Sequence, residues 1–202
     1  MSRRGIFGGT FDPPHVGHIS LASNMADLIP LDTVHWVPAK TPPHKNERAI
    51  SPAEHRVALL ELIIDMDPRW ELCRFELESE QPPWTVFLLE RFKREYPGDK
   101  LHLLIGGDSL AELTTWRDYR RLWELAEIDV AVRPGWKLSE VDEEVVSNVV
   151  LIPCPQIEIG STEIRGRIRR GEPVDGLVPA RVLDYIVQNG LFSNILHGSE
   201  NE

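Results

Sequence analysis

Short apolar runs alternate with longer helical repeats along this chain almost from its first residue. Arg4–Gly8 is apolar and closes on glycine, as a first strand would. From Val16 to Leu28, apolar residues fall at Val16, Ile19, Leu21, Ala22, Met25, Ala26 and Leu28, a helical spacing that Pro30 stops. Thr33–Pro38 is β-branched and aromatic and predicts a second strand. Two adjacent prolines without periodicity make the stretch 39–50 a loop. Ser51-Pro52-Ala53-Glu54 reads as a capping box with proline at the first helical position, and the helix it opens buries Val57, Leu60 and Ile64. Trp70–Leu77 alternates as a third strand, and Thr85–Tyr96 is a helix with Val86, Leu89 and Phe92 inward. Leu101–Ile105 has the unbroken apolar character of a strand buried on both faces, followed by Asp108 or Ser109 as a helix cap. Ile128–Val132 and Val149–Ile152 are further strands. Ser161 caps a helix from Thr162 to Arg170 that Gly171 stops, and a last helix runs from Pro179 to Gly190.

This alternation predicts an α/β fold: a single doubly wound, Rossmann-like domain over residues 1–193 with a mainly parallel central sheet, then a polar tail, 194–202. In such sheets ligands sit beyond the carboxyl ends of the strands, where the strand order reverses. Four marked clusters follow predicted strands here: GGTFDPPHVGH, PPHK, GGDS and RPGW.

Composition narrows the possibilities. The 202 residues are 42% hydrophobic and 27% charged, which suits a soluble globular protein and not a disordered one. A net charge of -10 argues against a protein that coats nucleic acid polymers, and no apolar run approaches the ~20 residues that cross a bilayer. The first residues carry two arginines, but glycines break the stretch where a secretory signal would be apolar. Cys73 and Cys154 are too few for a disulfide framework, so the expected compartment is the reducing cytoplasm. No coiled-coil heptad or exposed apolar stripe fixes an oligomeric state. The acidity is uneven: residues 1–48 sum to +1, and the remaining 154 carry -11. An anionic ligand is therefore expected near His15, His18 and His44.

Residues 8–18 carry the most chemistry. Gly8 and Gly9 allow close backbone approach after a strand, and the helix that follows presents N–H groups and a positive dipole end to a phosphate. His15 and His18 stand three apart, on one side of a first helical turn, where each could donate to a phosphate oxygen. Two rivals stay open: a glycine turn with solvated histidines, and an incomplete zinc site of Asp12, His15 and His18. Ser161, Thr162 and Arg165 offer a second phosphate seat at a helix start, while Arg167, Arg169 and Arg170 read as a solvated face.

The segment Gly9-Thr10-Phe11-Asp12-Pro13-Pro14-His15-Val16-Gly17-His18 resembles the signature of the HxGH nucleotidyltransferase superfamily. That resemblance implies that His15 and His18 contact the ATP phosphates and stabilise the transferring phosphorus. The superfamily's Ile-Ser-Ser/Ala-Thr-x-x-Arg motif stands here as Ile159-Gly160-Ser161-Thr162-Glu163-Ile164-Arg165, with glycine in the second place. It implies β- and γ-phosphate contacts from Ser161, Thr162 and Arg165. Over nearly its whole length the chain looks like the bacterial nicotinate-nucleotide adenylyltransferases, through Pro42-Pro43-His44-Lys45, Trp84-Thr85, Ile105-Gly106-Gly107-Asp108-Ser109, Thr115-Trp116 and Arg133-Pro134-Gly135. This resemblance implies catalytic roles for His15, His18, Lys45 and Arg165. It places ATP against Gly8, Gly9, Thr10, Phe11, Gly106, Asp108, Ser161 and Thr162, with Asp108 at the ribose hydroxyls. It places nicotinate mononucleotide against His44, Lys45, Trp84, Thr85, Trp116 and Arg133; Trp84 stands where the family usually has tyrosine. The implied reaction joins ATP and nicotinate mononucleotide into deamido-NAD and pyrophosphate, with Mg²⁺ carried on the ATP phosphates and no protein metal site. Alternatives are phosphopantetheine adenylyltransferase, a cytidylyltransferase, or a nucleotide sensor without activity. A class I aminoacyl-tRNA synthetase shares the histidine pair, but the chain is too short and too acidic and lacks a Lys-Met-Ser-Lys-Ser loop.

Overall fold

Six strands form one sheet: β1 (Arg3–Gly9), β2 (Thr33–Pro38), β3 (Trp70–Leu72), β4 (Lys100–Gly106), β5 (Glu127–Val132) and β6 (Val150–Pro153). A computed structural model describes residues 1–40, 50–132, 141–155, 157 and 159–193. The strand order is β3-β2-β1-β4-β5-β6, and each neighbouring pair is parallel. This is the doubly wound order, and its reversal falls between β1 and β4. Pairing of β1 with β4 ends at Ile6 and Leu103, whereas β1 stays with β2 as far as Gly9 and Pro38. A crevice thus opens where the order reverses.

Alternate strand residues feed two cores, as the two-residue period of a strand requires. Phe7, Trp36 and Leu104 face helices α1 (Val16–Leu28), α2 (Ala53–Glu61), α8 (Ser161–Arg169) and α9 (Ala180–Gln188), meeting Met25, Leu60, Ile164 and Ile186. Ile6, Val37, Leu103 and Val130 face α4 (Thr85–Glu95) and α6 (Tyr119–Leu125), meeting Leu89, Phe92 and Leu122. The short helices α3 (Phe75–Glu78), α5 (Gly107–Glu112) and α7 (Glu143–Val146) complete the described elements. No helix among the described residues is long and apolar enough to cross a membrane. Cys73 and Cys154 are both free and buried.

Several expected local features differ. The third strand stops at Leu72 and the chain enters α3, because its partner β2 ends at Pro38, which has no N–H to give to a longer ladder. The capping box at Ser51 does not form. Pro52 is the cap residue of α2, and the Ser51 N–H is spent on the Asp12 carboxylate at 3.2 Å. The buried face of α2 and its end is consequently Arg56, Leu59, Leu60 and Ile63, not the expected Val57 and Ile64. Neither Asp108 nor Ser161 caps its helix: Gly106 and Gly160 hold those positions, and both side chains lie inside the first turn. The helices α6 and α7 occupy stretches the apolar pattern leaves unassigned; α7 is capped by the Asp142 carboxylate, which accepts from the Glu144 N–H at 2.8 Å. The expected tail, 194–202, lies outside the described residues.

Candidate active site

β1 runs out at the mouth of the crevice, and Thr10-Phe11-Asp12 turns the chain toward α1. Phe11 takes the left-handed conformation, φ 51°, which costs a residue with a Cβ about 1–2 kcal/mol. Its ring is buried, edge-on to Phe7 at 5.4 Å and to His18 at 5.1 Å. Gly9 makes room for it, since a Cβ there would lie 2.8 Å from the Phe11 ring.

The carbonyls of the turn are held by side chains from distant parts of the chain. Arg56 Nη1 donates to the Thr10 carbonyl at 3.1 Å, Arg165 Nη1 to that of Asp12 at 2.7 Å, and Ser161 Oγ to that of Pro13 at 3.0 Å. The Asp12 side chain is completely buried, and its Oδ1 has no hydrogen-bond partner among the described residues. Burial pushes the pKa of both Arg56 and Arg165 down, while the Asp12 carboxylate pulls each back up.

His15 occupies the cap position of α1. Its N–H donates to His18 Nδ1 at 3.3 Å, and the two rings lie 3.7 Å apart. A neutral His18 that accepts at Nδ1 carries its proton on Nε2, the arrangement needed to donate to an oxyanion. Burial lowers the His15 pKa to about 4, so this ring is neutral at physiological pH. Gly17 permits the packing: a Cβ there would lie 3.0 Å from the His15 ring and 3.3 Å from the Ile157 carbonyl. One expectation is corrected here. The first N–H of α1, from Val16, is not available to a phosphate, because it donates to the Leu177 carbonyl at 3.0 Å.

Across the turn, Arg165 Nη2 donates to Thr162 Oγ1 at 3.1 Å, and Arg165 is only 6% exposed. Among the described residues nothing lies within 4 Å of a Cβ placed on Gly160. The glycine gives α8 no side-chain cap. Gly8 and Gly9 close β1 on one side of the crevice, and Gly106 with the exposed Asp108 starts α5 on the other. Asp12, His15 and His18 do not converge as metal ligands. The described side chains whose ligand atoms do come within 4.8 Å of one another are His102, Glu127 and Asp129, toward the opposite end of β4 and β5.

Trp84, Thr85 and Trp116, expected against the mononucleotide, belong to the start of α4 and the segment before α6. Trp84 precedes α4, is 38% exposed and stacks on Phe87 at 5.4 Å. The Arg117 guanidinium lies 4.9 Å over the Trp84 ring and so ties the start of α4, with Thr85, to the segment that holds half-buried Trp116. Beside Trp84 is a cleft of about 300 Å³ walled by Phe75, Pro83, Phe87, Arg91 and Arg94, with no wall from His15, His18 or Arg165. His44, Lys45 and Arg133 lie outside the described residues. Arg56 was not foreseen, although Arg56, Leu59, Leu60 and Ile63 share one helical face and that spacing marks a buried arginine.

Fold and turn together define a nucleotidyltransferase of the Rossmann-like α/β class. The model of the cytidylyltransferase-like family matches residues 6–167. A protein of Thermomicrobium roseum named a probable nicotinate-nucleotide adenylyltransferase is 38% identical over 96% of this chain and 94% of its own length. The nicotinate-nucleotide adenylyltransferase of Bacillus subtilis is 34% identical over 96% of this chain and 100% of its own. The chain belongs to the cytidylyltransferase-like family and, within it, to the nicotinate-nucleotide adenylyltransferases. Its fold is that of the Plasmodium falciparum nicotinic acid mononucleotide adenylyltransferase, solved with APC and with NaAD, at a TM-score of 0.77 and 20% identity over 95% of this chain and 98% of that one.

Proposed function

We propose that this protein transfers the adenylyl group of ATP to nicotinate mononucleotide, forming deamido-NAD and releasing pyrophosphate. The observation that carries the reading is the convergence on one turn of His15 and His18 with Ser161 and Arg165, nearly 150 positions further along the chain. Relatives that bear the adenylyltransferase name match it end to end.

The attacking group is the phosphate of the mononucleotide. Its second pKa is near ~6, so at neutral pH it is already anionic and needs no general base. An oxygen of that phosphate bonds to the α-phosphorus, the bond from the α-phosphorus to the bridging oxygen breaks, and pyrophosphate leaves with the electron pair. What the protein supplies is alignment and relief of repulsion between two polyanions. His18 donates through Nε2, His15 acts as a neutral donor, and Arg165 reaches the leaving phosphates from α8. Asp108 takes the ribose hydroxyls. On the acceptor side Trp116 and Thr85 hold the nicotinate ring beside Trp84, and His44, Lys45 and Arg133 take the anionic groups. Mg²⁺, arriving on the triphosphate oxygens, supplies further charge neutralisation when bound. Asp12 makes a poor ligand for it, being wholly buried and turned to the Ser51 N–H.

Purified protein, MgATP and nicotinate mononucleotide should yield pyrophosphate and deamido-NAD in equal amounts. Nicotinamide mononucleotide and phosphopantetheine run beside it test the acceptor. Turnover with one of these and none with nicotinate mononucleotide would overturn the reading.

A further inference from the structure

Arg56 is among the largest fully buried side chains of the molecule, 2% exposed, and no motif accounts for it. It projects from α2 and forks onto two backbone carbonyls: Nη1 to Thr10 at 3.1 Å and Nε to Ser51 at 3.2 Å. Among the described residues it makes no direct ion pair; the carboxylates of Asp12 and Glu76 act on it only through space. Burying a guanidinium without a directly paired carboxylate is costly, and packed apolar residues often serve such a position as well or better. The cost is placed at one particular point of the chain. Thr10 is the residue before Phe11, whose left-handed backbone must be imposed by its surroundings. Arg165 and Ser161 restrain the far side of that turn from α8, at the Asp12 and Pro13 carbonyls, and Arg56 restrains the near side from α2. The Phe11 ring in turn packs edge-on against His18.

We infer that Arg56 is a positioning residue for the transfer step: its fork to Thr10 and Ser51 fixes the Phe11 turn and thereby the ring of His18. The inference rests on the adenylyl transfer proposed above. It requires the planar two-donor geometry and not merely a positive charge, because the guanidinium presents its Nε–H and Nη1–H in a fixed fork that the rotatable ammonium of lysine does not reproduce. Misplacing a reacting group by about an ångström lowers turnover roughly 100-fold.

The experiment compares the wild type with Arg56→Lys and Arg56→Ala in the MgATP and nicotinate mononucleotide assay. Activity is expressed per folded molecule, with the folded fraction taken from thermal unfolding and near-ultraviolet circular dichroism. Arg56→Lys is expected to lose roughly 10- to 100-fold in kcat, with KM for ATP within about threefold. Arg56→Ala should lose at least as much and recover part of it with added methylguanidinium. The inference is overturned if folded Arg56→Lys keeps kcat within about twofold of wild type. It is also overturned if the whole loss follows the folded fraction, which is the signature of a purely structural arginine. Should neither variant fold, Arg56→Gln takes their place: a loss of kcat per folded molecule that methylguanidinium partly restores supports the fork, and a kcat within about twofold of the wild type, or a loss that methylguanidinium leaves unchanged, overturns it. A wild type that is inactive with every acceptor refutes the adenylyl-transfer reading instead, so the two failures are distinguishable.

Discussion

The two ends of the sheet both bury charge, and they balance it in opposite ways. At the carboxyl end, one wholly buried carboxylate, Asp12, lies between two buried guanidiniums, Arg56 and Arg165, beside a pair of stacked histidines. Among the described residues these guanidiniums donate to backbone carbonyls and not to carboxylates, and Asp12 and Glu76 act on Arg56 only through space. Toward the other end, His102 on β4 hydrogen-bonds Asp129 on β5 at 2.7 Å, and Glu127 next to them is held by Lys100 at 2.9 Å. There the side chains bond one another directly, and burial pushes the Asp129 pKa up while His102 draws it back. Groups already bonded to one another ask nothing of a ligand. Guanidiniums held beside a crevice without a directly bonded carboxylate are completed by an anion, and a triphosphate supplies one.

The sharpest break of this contrast is to unbalance the self-contained end. Asp129→Val leaves His102 buried without its carboxylate, and loss of one partner from a buried pair costs about 3–5 kcal/mol of stability. The double variant His102→Leu with Asp129→Val should recover most of that loss. Urea unfolding measures both, and turnover per native molecule should stay at the wild-type value throughout. A fall in turnover of the folded single variant would show that the two ends are coupled and that the contrast is false.

Next in size is His18→Ala, which removes a donor from the crevice end. Loss of one preorganised donor to an oxyanion costs about 10²–10³ in kcat. Because the interaction strengthens as charge moves onto the leaving phosphate, KM for ATP should change much less, and the urea midpoint hardly at all. Steady-state kinetics on the variant measures this directly. Equal turnover would remove His18 from the mechanism and leave the paired rings as packing.

How much of this was legible beforehand differs between backbone and side chains. Five of the six strands and the helices α1 and α4 follow from the apolar pattern, because burial on a parallel sheet leaves few other patterns for Leu101–Ile105 or Thr33–Pro38, whereas the third strand, expected as far as Leu77, stops at Leu72. The glycine and histidine positions of the turn are legible through the family signature, and the fold adds why Gly9 and Gly17 stand there, since a Cβ on either would crowd the rings of Phe11 and His15. What the chain text hides is who pins that turn. Ser51 and Ser161 look like helix caps in sequence, and a cap and a tertiary hydrogen bond draw on the same residue types. Only the fold shows that the Ser51 N–H goes to Asp12 and the Ser161 hydroxyl to Pro13. Arg56 was hidden for a related reason: charge argues for solvent, and only its apolar helical neighbours argue otherwise.

Protonation gives the smallest and most local test of the two ends. The His15 pKa lies at about 4 in the folded protein because burial disfavours the imidazolium; the unfolded chain has it near ~6.5. Between those values the unfolded state binds a proton that the native state refuses. Stability must therefore fall as pH drops from about 6.5 toward 4, by at most about 1.4 kcal/mol per pH unit for this histidine, and level off below 4. His35, lowered to about 4 by burial and then by the Arg4 charge, adds a similar slope in the same window. Of these two, only His15 should also respond to an anion. Bound pyrophosphate favours its charged form, so its titration by NMR is expected near 4 in the free protein and higher in the complex, while that of His35 stays in place. A free-protein titration of His15 near 6.5 would mean the ring is solvated. The carboxyl end would then hold an ordinary solvated histidine, and the buried groups there would be Asp12, Arg56 and Arg165.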